Sequence, residues 1–201
     1  MTRKEAEKLK RKFYQLARYF DLKVKCVLNK VREPYGSSVG PALEMKEAIE
    51  VLKRKDSCHN LEDISVQLAG KILEITGKSK DGKSGRDMAQ ELLDSGRAWE
   101  EFKEIVENQE GELKDLEPAE HKEIIKAKKS GKIKDINITK LNQIARTAGC
   151  PLDKKAGLYL HKHLNDKIKK GQKLITVYAE SRPELNQAVE KYREEEPIEI
   201  G

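Results

Sequence analysis

The sequence predicts an α/β part followed by a smaller α+β part, and three observations support that division. Apolar residues recur at spacings of three and four in several segments up to Asn108, interrupted by one strand-type run, Leu22–Leu28. An acidic stretch, Gln109–Pro118, holds Gly111 and Pro118 and has no periodicity, which sets the domains at 1–117 and 118–201. Beyond it, apolar residues come in short runs split by turn dipeptides, the texture of strands.

The elements follow in order. Residues 3–20 read as an amphipathic helix with Leu9, Phe13, Leu16, Ala17 and Phe20 on its apolar side. Asp21 ends it, and Leu22–Leu28 reads as a strand with Val24, Cys26 and Leu28 on one side. A loop over 29–40 leads into a helix over 41–55, whose buried stripe is read as Ala42, Met45, Ile49 and Leu52. A third helix covers Leu61–Ile75, and Lys78–Lys83 is a polar loop. Ser84 with Asp87 reads as a capping box for a short helix that Gly96 closes. Arg97–Asn108 is a further helix, with Trp99 as its core anchor. After the boundary, Ile124, Ile125, Ile133, Ile136 and Ile138 flank Ser130-Gly131 and suggest a β-hairpin. Thr139 opens a short helix that Gly149 closes. Strands are expected at Gly157–Leu164, Lys167–Ile168 and Leu174–Ala179, and Ser181 with Glu184 opens a last helix to Glu196.

Composition bounds the function. Charged residues make up 38% of the 201 residues and aromatics 5%, the surface of a water-soluble chain. No run of about 18 apolar residues exists, so no membrane partner is expected. The start, Met1-Thr-Arg-Lys-Glu-Ala-Glu, is a charged helix opening rather than a leader peptide. Cys26, Cys58 and Cys150 are scattered and odd in number, which argues against a disulfide framework and for the cytoplasm. Residues 1–60 hold 15 Lys+Arg against 8 Asp+Glu, residues 61–118 hold 8 against 15, and residues 119–201 hold 18 against 12. The sign alternates, whereas a nucleic-acid surface concentrates positive charge, so nucleic acid is not an expected partner.

Chemistry is densest at Pro34–Pro41, which packs two glycines, two serines and two prolines between a strand-type run and a helix. Strand, glycine-rich loop and helix together offer backbone groups to small ions; the same pattern also makes ordinary tight turns, and both readings stand. Lys78–Gly85 lacks the spacing of a phosphate loop and is read as exposed. His161 and His163 alternate and would share a strand face, but a third metal ligand is not evident. Cys58-His59 at a helix end lacks the spatial opposition that a nucleophile and its base require. Cys26 is read as a small core residue.

Two stretches, Val39-Gly-Pro-Ala-Leu-Glu-Met-Lys-Glu-Ala-Ile-Glu-Val-Leu-Lys53 and Ala156-Gly-Leu-Tyr-Leu-His-Lys-His-Leu-Asn-Asp-Lys-Ile-Lys-Lys-Gly-Gln-Lys-Leu-Ile-Thr-Val-Tyr-Ala-Glu-Ser181, resemble the thymidine and pyrimidine-nucleoside phosphorylase family, most closely its archaeal AMP phosphorylase branch. The resemblance covers the C-terminal portion of such an enzyme. It implies an incomplete α/β domain, with helices around a few strands, followed by the family's small C-terminal α+β domain. It also implies pentosyl transfer to phosphate in nucleotide salvage, from AMP or a pyrimidine nucleoside, with a sugar phosphate as product. The family's phosphate- and base-gripping residues lie upstream of this chain, so the resemblance assigns no catalytic residue here and implies a chain inactive alone. Its partners would be the missing N-terminal half or a second copy as a homodimer, with phosphate and nucleoside or nucleotide bound only in the full enzyme. One site falls partly inside. Matching the family's motif places half of a potassium shell on the carbonyls of Tyr35 and Ser38 and the carboxylate of Glu47. The alternative for Glu47 is a solvated helix residue.

Two other functions remain open. The chain is read alternatively as a non-catalytic binding or assembly module. The stretch Gly157–Glu180 also looks like the barrel-sandwich hairpins of biotinyl and lipoyl carriers, with Lys154 as the one candidate for modification. No covalently bound cofactor is expected on the leading reading.

Overall fold

The computed structural model describes residues 2–55, 59–114 and 116–201, the side chain of His59 excepted. Two units divide the chain: Met1–Lys30 with Asp63–Ser95, and Val31–Glu62 with Gly96–Gly201.

The first unit is helical. Helix α1 (Arg3–Tyr19) begins at Thr2, whose hydroxyl accepts from the Glu5 N–H while the Glu5 carboxylate accepts from the Thr2 N–H. Most of α3 (His59–Ile75) and all of α4 (Gly82–Asp94) complete it. The cap of α4 is Asp81, three residues earlier than the Ser84–Asp87 pairing suggests: its carboxylate accepts from the N–H groups of Lys83 and Ser84. Those are the donors a phosphate would need, so the Lys78–Gly85 stretch is a capped helix start rather than an anion cradle. The strand expected at Leu22–Leu28 is absent. The Leu22 N–H turns back to the Ala17 carbonyl and the Cys26 N–H meets the Tyr14 hydroxyl at 3.4 Å. A strand exists only as one side of a ladder, and among the described residues nothing pairs with this segment.

The second unit holds β1 (Ser38–Val39), α2 (Pro41–Leu52) and α5 (Arg97–Asn108), followed by β2 (His121–Lys126), β3 (Gly131–Ile136), α6 (Ile138–Thr147), β4 (Gly157–Leu160), β5 (Lys167–Ile168), β6 (Lys173–Ala179), α7 (Arg182–Glu195) and β7 (Ile198–Ile200). A four-stranded antiparallel sheet has the order β1-β4-β6-β2, and a three-stranded sheet the order β5-β3-β7. The core lies where the strands alternate inward: Leu158 and Leu160 on β4 and Ile175 and Val177 on β6 join Leu141 and Ile144 of α6 and Leu185 of α7, all essentially out of water. Mixed helix and sheet is thus the architecture.

The expected Ile124–Ile138 hairpin does not form. β2 pairs with β6, from His121↔Ala179 to Lys126↔Lys173, while β3 pairs with β5 and β7. After β2 the chain is held instead by the Ala127 N–H on the Gln172 carbonyl and the Gly171 N–H on the Ala127 carbonyl, both 2.9 Å. Partner choice follows the apolar face each strand can bury, and nearness in sequence loses to it here. Helix α6 starts at Asn137, whose side chain accepts from Lys140 N–H, two residues before Thr139. Ser181 opens α7 as expected. Strand β4 stops at Leu160, four residues early, because 161–166 turn toward the segment at 33–37. Trp99 is half-buried, with the Lys53 ammonium 4.3 Å from its ring centroid.

Candidate functional site

The loop at 33–40 is fixed from both sides. On one side β1 lies along β4, Ser38 opposite Tyr159 and Val39 opposite Leu158, and the Leu160 N–H donates to the Ser37 carbonyl at 2.7 Å. On the other side stands α2. Pro41 occupies its first turn, where no N–H is required, the Gly40 N–H reaches Glu44 at 3.0 Å, and the Ala42 N–H is anchored on the Lys154 carbonyl.

Because α2 rests on β1 and β4, its buried face carries Ala42, Leu43, Glu47, Ile49 and Val51, while Met45 is 40% exposed. Glu47 is therefore no solvated helix residue: it is 7% exposed. Its Oε1 accepts from the Ser37 N–H at 2.8 Å and its Oε2 from the Ser38 N–H at 3.1 Å. Gly36 makes the approach feasible, since a Cβ there would stand 2.4 Å from Oε2. Among the described residues no lysine, arginine or histidine forms an ion pair with Glu47.

A second set of polar contacts holds the same loop. Glu33 Oε2 accepts from the Leu164 N–H at 2.9 Å and lies 3.1 Å from His163 Nδ1, and His163 Nε2 lies 2.9 Å from Ser37 Oγ. With its proton on Nδ1, the imidazole donates to Glu33 and accepts from the Ser37 hydroxyl. This Glu–His–Ser array resembles a nucleophilic triad in connectivity only. Ser37 is 9% exposed, and the N–H groups of Ser37 and Ser38, which an oxyanion would need, are spent on Glu47. The array works as a latch. Replacing His163 with Ala should cost about 1–2 kcal/mol from two lost hydrogen bonds at a partly wet site, and Ser37→Ala about 1. Urea unfolding of the two variants measures this.

Outside the core, the same sheet shows Tyr159 and His161 beside Thr176 and Tyr178. Tyr159, His161 and Tyr178 line, with Glu47 and Lys46, an open cavity of about 450 Å³. His161 lies 2.7 Å from Thr176 Oγ1, and burial, with Lys173 and Lys162 adding to it, pushes its pKa down. Burial first and the Glu47 charge second push the Tyr159 hydroxyl up; burial does the same at Tyr178. Both hydroxyls stay protonated donors. At the rim, Lys46 pairs with Glu117 at 2.8 Å.

Of the three residues named from the sequence, the structure brings Ser38 and Glu47 together, and Tyr35 sits half-buried beside Gly36. In the ladder register of Ser38, its peptide groups point away from β4, and its N–H does so toward Glu47. The two histidines diverge, His161 to Thr176 and His163 to Ser37 and Glu33. Among the described residues no three His, Cys, Asp or Glu side chains gather as a metal site. Cys26 is half-buried, Lys154 is exposed, and Cys58 and the His59 side chain lie outside what the structure describes. Sequence reading missed Glu33, His163 and Ser37 as a group: Ser37 and His163 are 126 positions apart, and no local pattern joins them.

The chain is similar to known proteins along its length. The family described as pyrimidine nucleoside phosphorylase C-terminal domain matches residues 132–199. The AMP phosphorylase of Methanococcus maripaludis strain S2 is 40% identical over 200 residues, covering 98% of this chain and 39% of that protein. The AMP phosphorylase of Methanospirillum hungatei is 36% identical over 203 residues, covering 99% and 39%. AMP phosphorylase 2 of Archaeoglobus fulgidus is 37% identical over 191 residues, covering 93% and 37%. The chain therefore spans about two-fifths of the length of these relatives and matches their C-terminal part. The resemblance read from the two sequence stretches holds along the whole chain.

Proposed function

We propose that this chain, similar throughout to the C-terminal part of AMP phosphorylases, serves as that part of a cytoplasmic pentosyltransferase in nucleotide salvage. The reaction is reversible phosphorolysis: a phosphate oxygen bonds to the anomeric carbon of AMP or a pyrimidine nucleoside, the bond to the base nitrogen breaks, and the base departs with the electron pair. The domains of this reading are the later part of the α/β domain, 1–117, and the small barrel-sandwich-like domain, 118–201. The chain supplies scaffold rather than reacting groups, and its partner is the polypeptide that precedes it in the relatives, or a second copy.

Glu47 is the observation that supports a positioning role in ion binding. A buried carboxylate with two backbone donors and, among the described residues, no cationic partner favours a nearby positive charge. Each of its oxygens keeps a lone pair beyond the bond it accepts. Tyr35, Ser38 and Glu47 would hold a potassium ion through hard oxygens, the donor type such an ion prefers. Bound there, it would add positive charge to a phosphate-binding neighbourhood. The chain's own residues keep the oxygens in place: Gly36 admits the carboxylate, β4 fixes Ser38, and Glu33–His163 holds Ser37.

The test is phosphorolysis of AMP, CMP, UMP and nucleosides, followed as base release. The purified chain alone should give no turnover, and turnover above background would refute its scaffold role. Mixing it with the part of the Methanococcus maripaludis AMP phosphorylase that precedes the matched region should restore base release. Silence of that mixture on every substrate sinks the phosphorylase reading.

A further inference from the structure

The first unit is short of a core. Its buried apolar residues are, among the described residues, Ala17, Val66, Ala89 and Leu93. Many of its large apolar side chains are at the surface. Leu9, Phe13, Leu16 and Phe20, at helical spacing along α1, are 43%, 50%, 54% and 62% exposed, and Leu68 and Ile72 on α3 are 44% and 61% exposed. The opposite side of α1 is charged, with Lys4, Arg11 and Arg18, so the helix is built with one polar side and one apolar side. Scattered surface leucines are ordinary, but a stripe running the length of a helix marks a contact.

Beside it lies Leu22–Leu28, an apolar run whose side chains alternate as in a strand yet which has no ladder partner among the described residues. Leu22 is 62% and Leu28 41% exposed. An apolar helix face and an unpaired strand-type segment, adjacent in sequence, together call for one kind of occupant: a polypeptide presenting the edge of a β-sheet with an apolar surface next to it. The relatives supply such a length of chain. About three-fifths of each lies outside the match, and that portion precedes the matched C-terminal part.

We infer that α1 and Leu22–Leu28 form the docking surface for the polypeptide that precedes the matched region in AMP phosphorylases. Leu22–Leu28 joins the edge of its sheet as a strand, and Leu9, Phe13, Leu16 and Phe20 are covered by it. The inference rests on the reading given under Proposed function and names the surface and the mode of contact.

The experiment mixes the full chain with the separately expressed preceding part of the Methanococcus maripaludis AMP phosphorylase. Association is measured by sedimentation and amide hydrogen exchange is followed residue by residue. The expected result is a complex in which exchange over Leu22–Leu28 slows by about tenfold or more. Phe13→Glu, on the exposed helix face, should weaken the complex at least about tenfold, as should Val24→Pro, which removes a ladder donor. Neither should change protection of Val66, Ala89 and Leu93, buried in the same unit, which shows that the variants still fold. No association, or association with Leu22–Leu28 exchanging as in the free chain, overturns the proposal. So does a self-dimer of the chain that Phe13→Glu abolishes, because the surface then belongs to a second copy. Base release is scored separately. Protection without turnover leaves this surface standing and removes the phosphorylase reading, whereas turnover without protection does the reverse.

Discussion

Replacing Glu47 with Ala should cost the second unit about 3–5 kcal/mol, at two charge-assisted hydrogen bonds of roughly 1.5–3 kcal/mol each. The loss is large because of what stays behind. Ser37 and Ser38 are 9% and 7% exposed, and both their N–H groups point at the carboxylate. Without it, two buried donors lose the acceptor they point at. Glu47→Gln should restore less than half the loss. It keeps one acceptor oxygen but turns an amide NH₂ toward the other serine N–H. Urea unfolding gives the free energies, and hydrogen exchange at Ser37 and Ser38 gives the local signature. If Glu47→Ala unfolds within about 0.5 kcal/mol of the parent, as an exposed helix substitution would, the carboxylate does not hold the loop.

Gly157→Ala should be at least as damaging, about 3–5 kcal/mol. A Cβ at Gly157 would lie 2.2 Å from the Val39 carbonyl oxygen and 3.1 Å from Leu43 Cδ1. The first of these atoms is main chain, so no rotamer change relieves the overlap, and β1 must leave β4. The backbone at Gly157 also has φ +156°, a conformation that an alanine adopts only under strain. The strand contact, the seat of α2 and the position of Glu47 should therefore fail together. Thermal unfolding should show a midpoint lowered by about 10 °C, with the exchange protection of Ser38 and Leu158 lost first. A variant that keeps its midpoint would show that β1 contributes nothing to the unit's stability.

Helix periods were largely legible, because a stripe of apolar residues reports a buried side whichever neighbour buries it. Arg97–Asn108 matches its expected bounds, and the first and last helices differ from theirs by one residue at an end. Strand partners were not legible. The Ile124–Ile136 region reads as a hairpin from its turn, yet β2 and β3 find partners about 50 and 65 residues away in β6 and β7. Leu22–Leu28 shows the converse limit, since a strand pattern needs a ladder that this chain does not provide among its described residues. At the loop, glycines and prolines drew attention to 34–41, and motif matching named Ser38 and Glu47. Glu47 lay outside the expected stripe of Ala42, Met45, Ile49 and Leu52 because α2 turns Leu43 and Glu47 inward instead. A buried charge is invisible to hydropathy, and the Glu33–His163–Ser37 latch is visible only once the chain has closed over 126 positions.

The polypeptide crosses from one unit to the other three times, after Lys30, Glu62 and Ser95. Neither unit is a continuous stretch, so recombination at one breakpoint cannot transplant either of them to another gene. A single protease nick inside 63–95 likewise releases nothing, because each new end remains joined to Glu62 or to Gly96. The excursion also imposes an order on biosynthesis: Pro41–Leu52 must wait for 63–95 to emerge from the ribosome before β4 exists to receive it. Closing so long a loop adds only slowly to the entropic cost, which makes an interleaved layout of this kind tolerable.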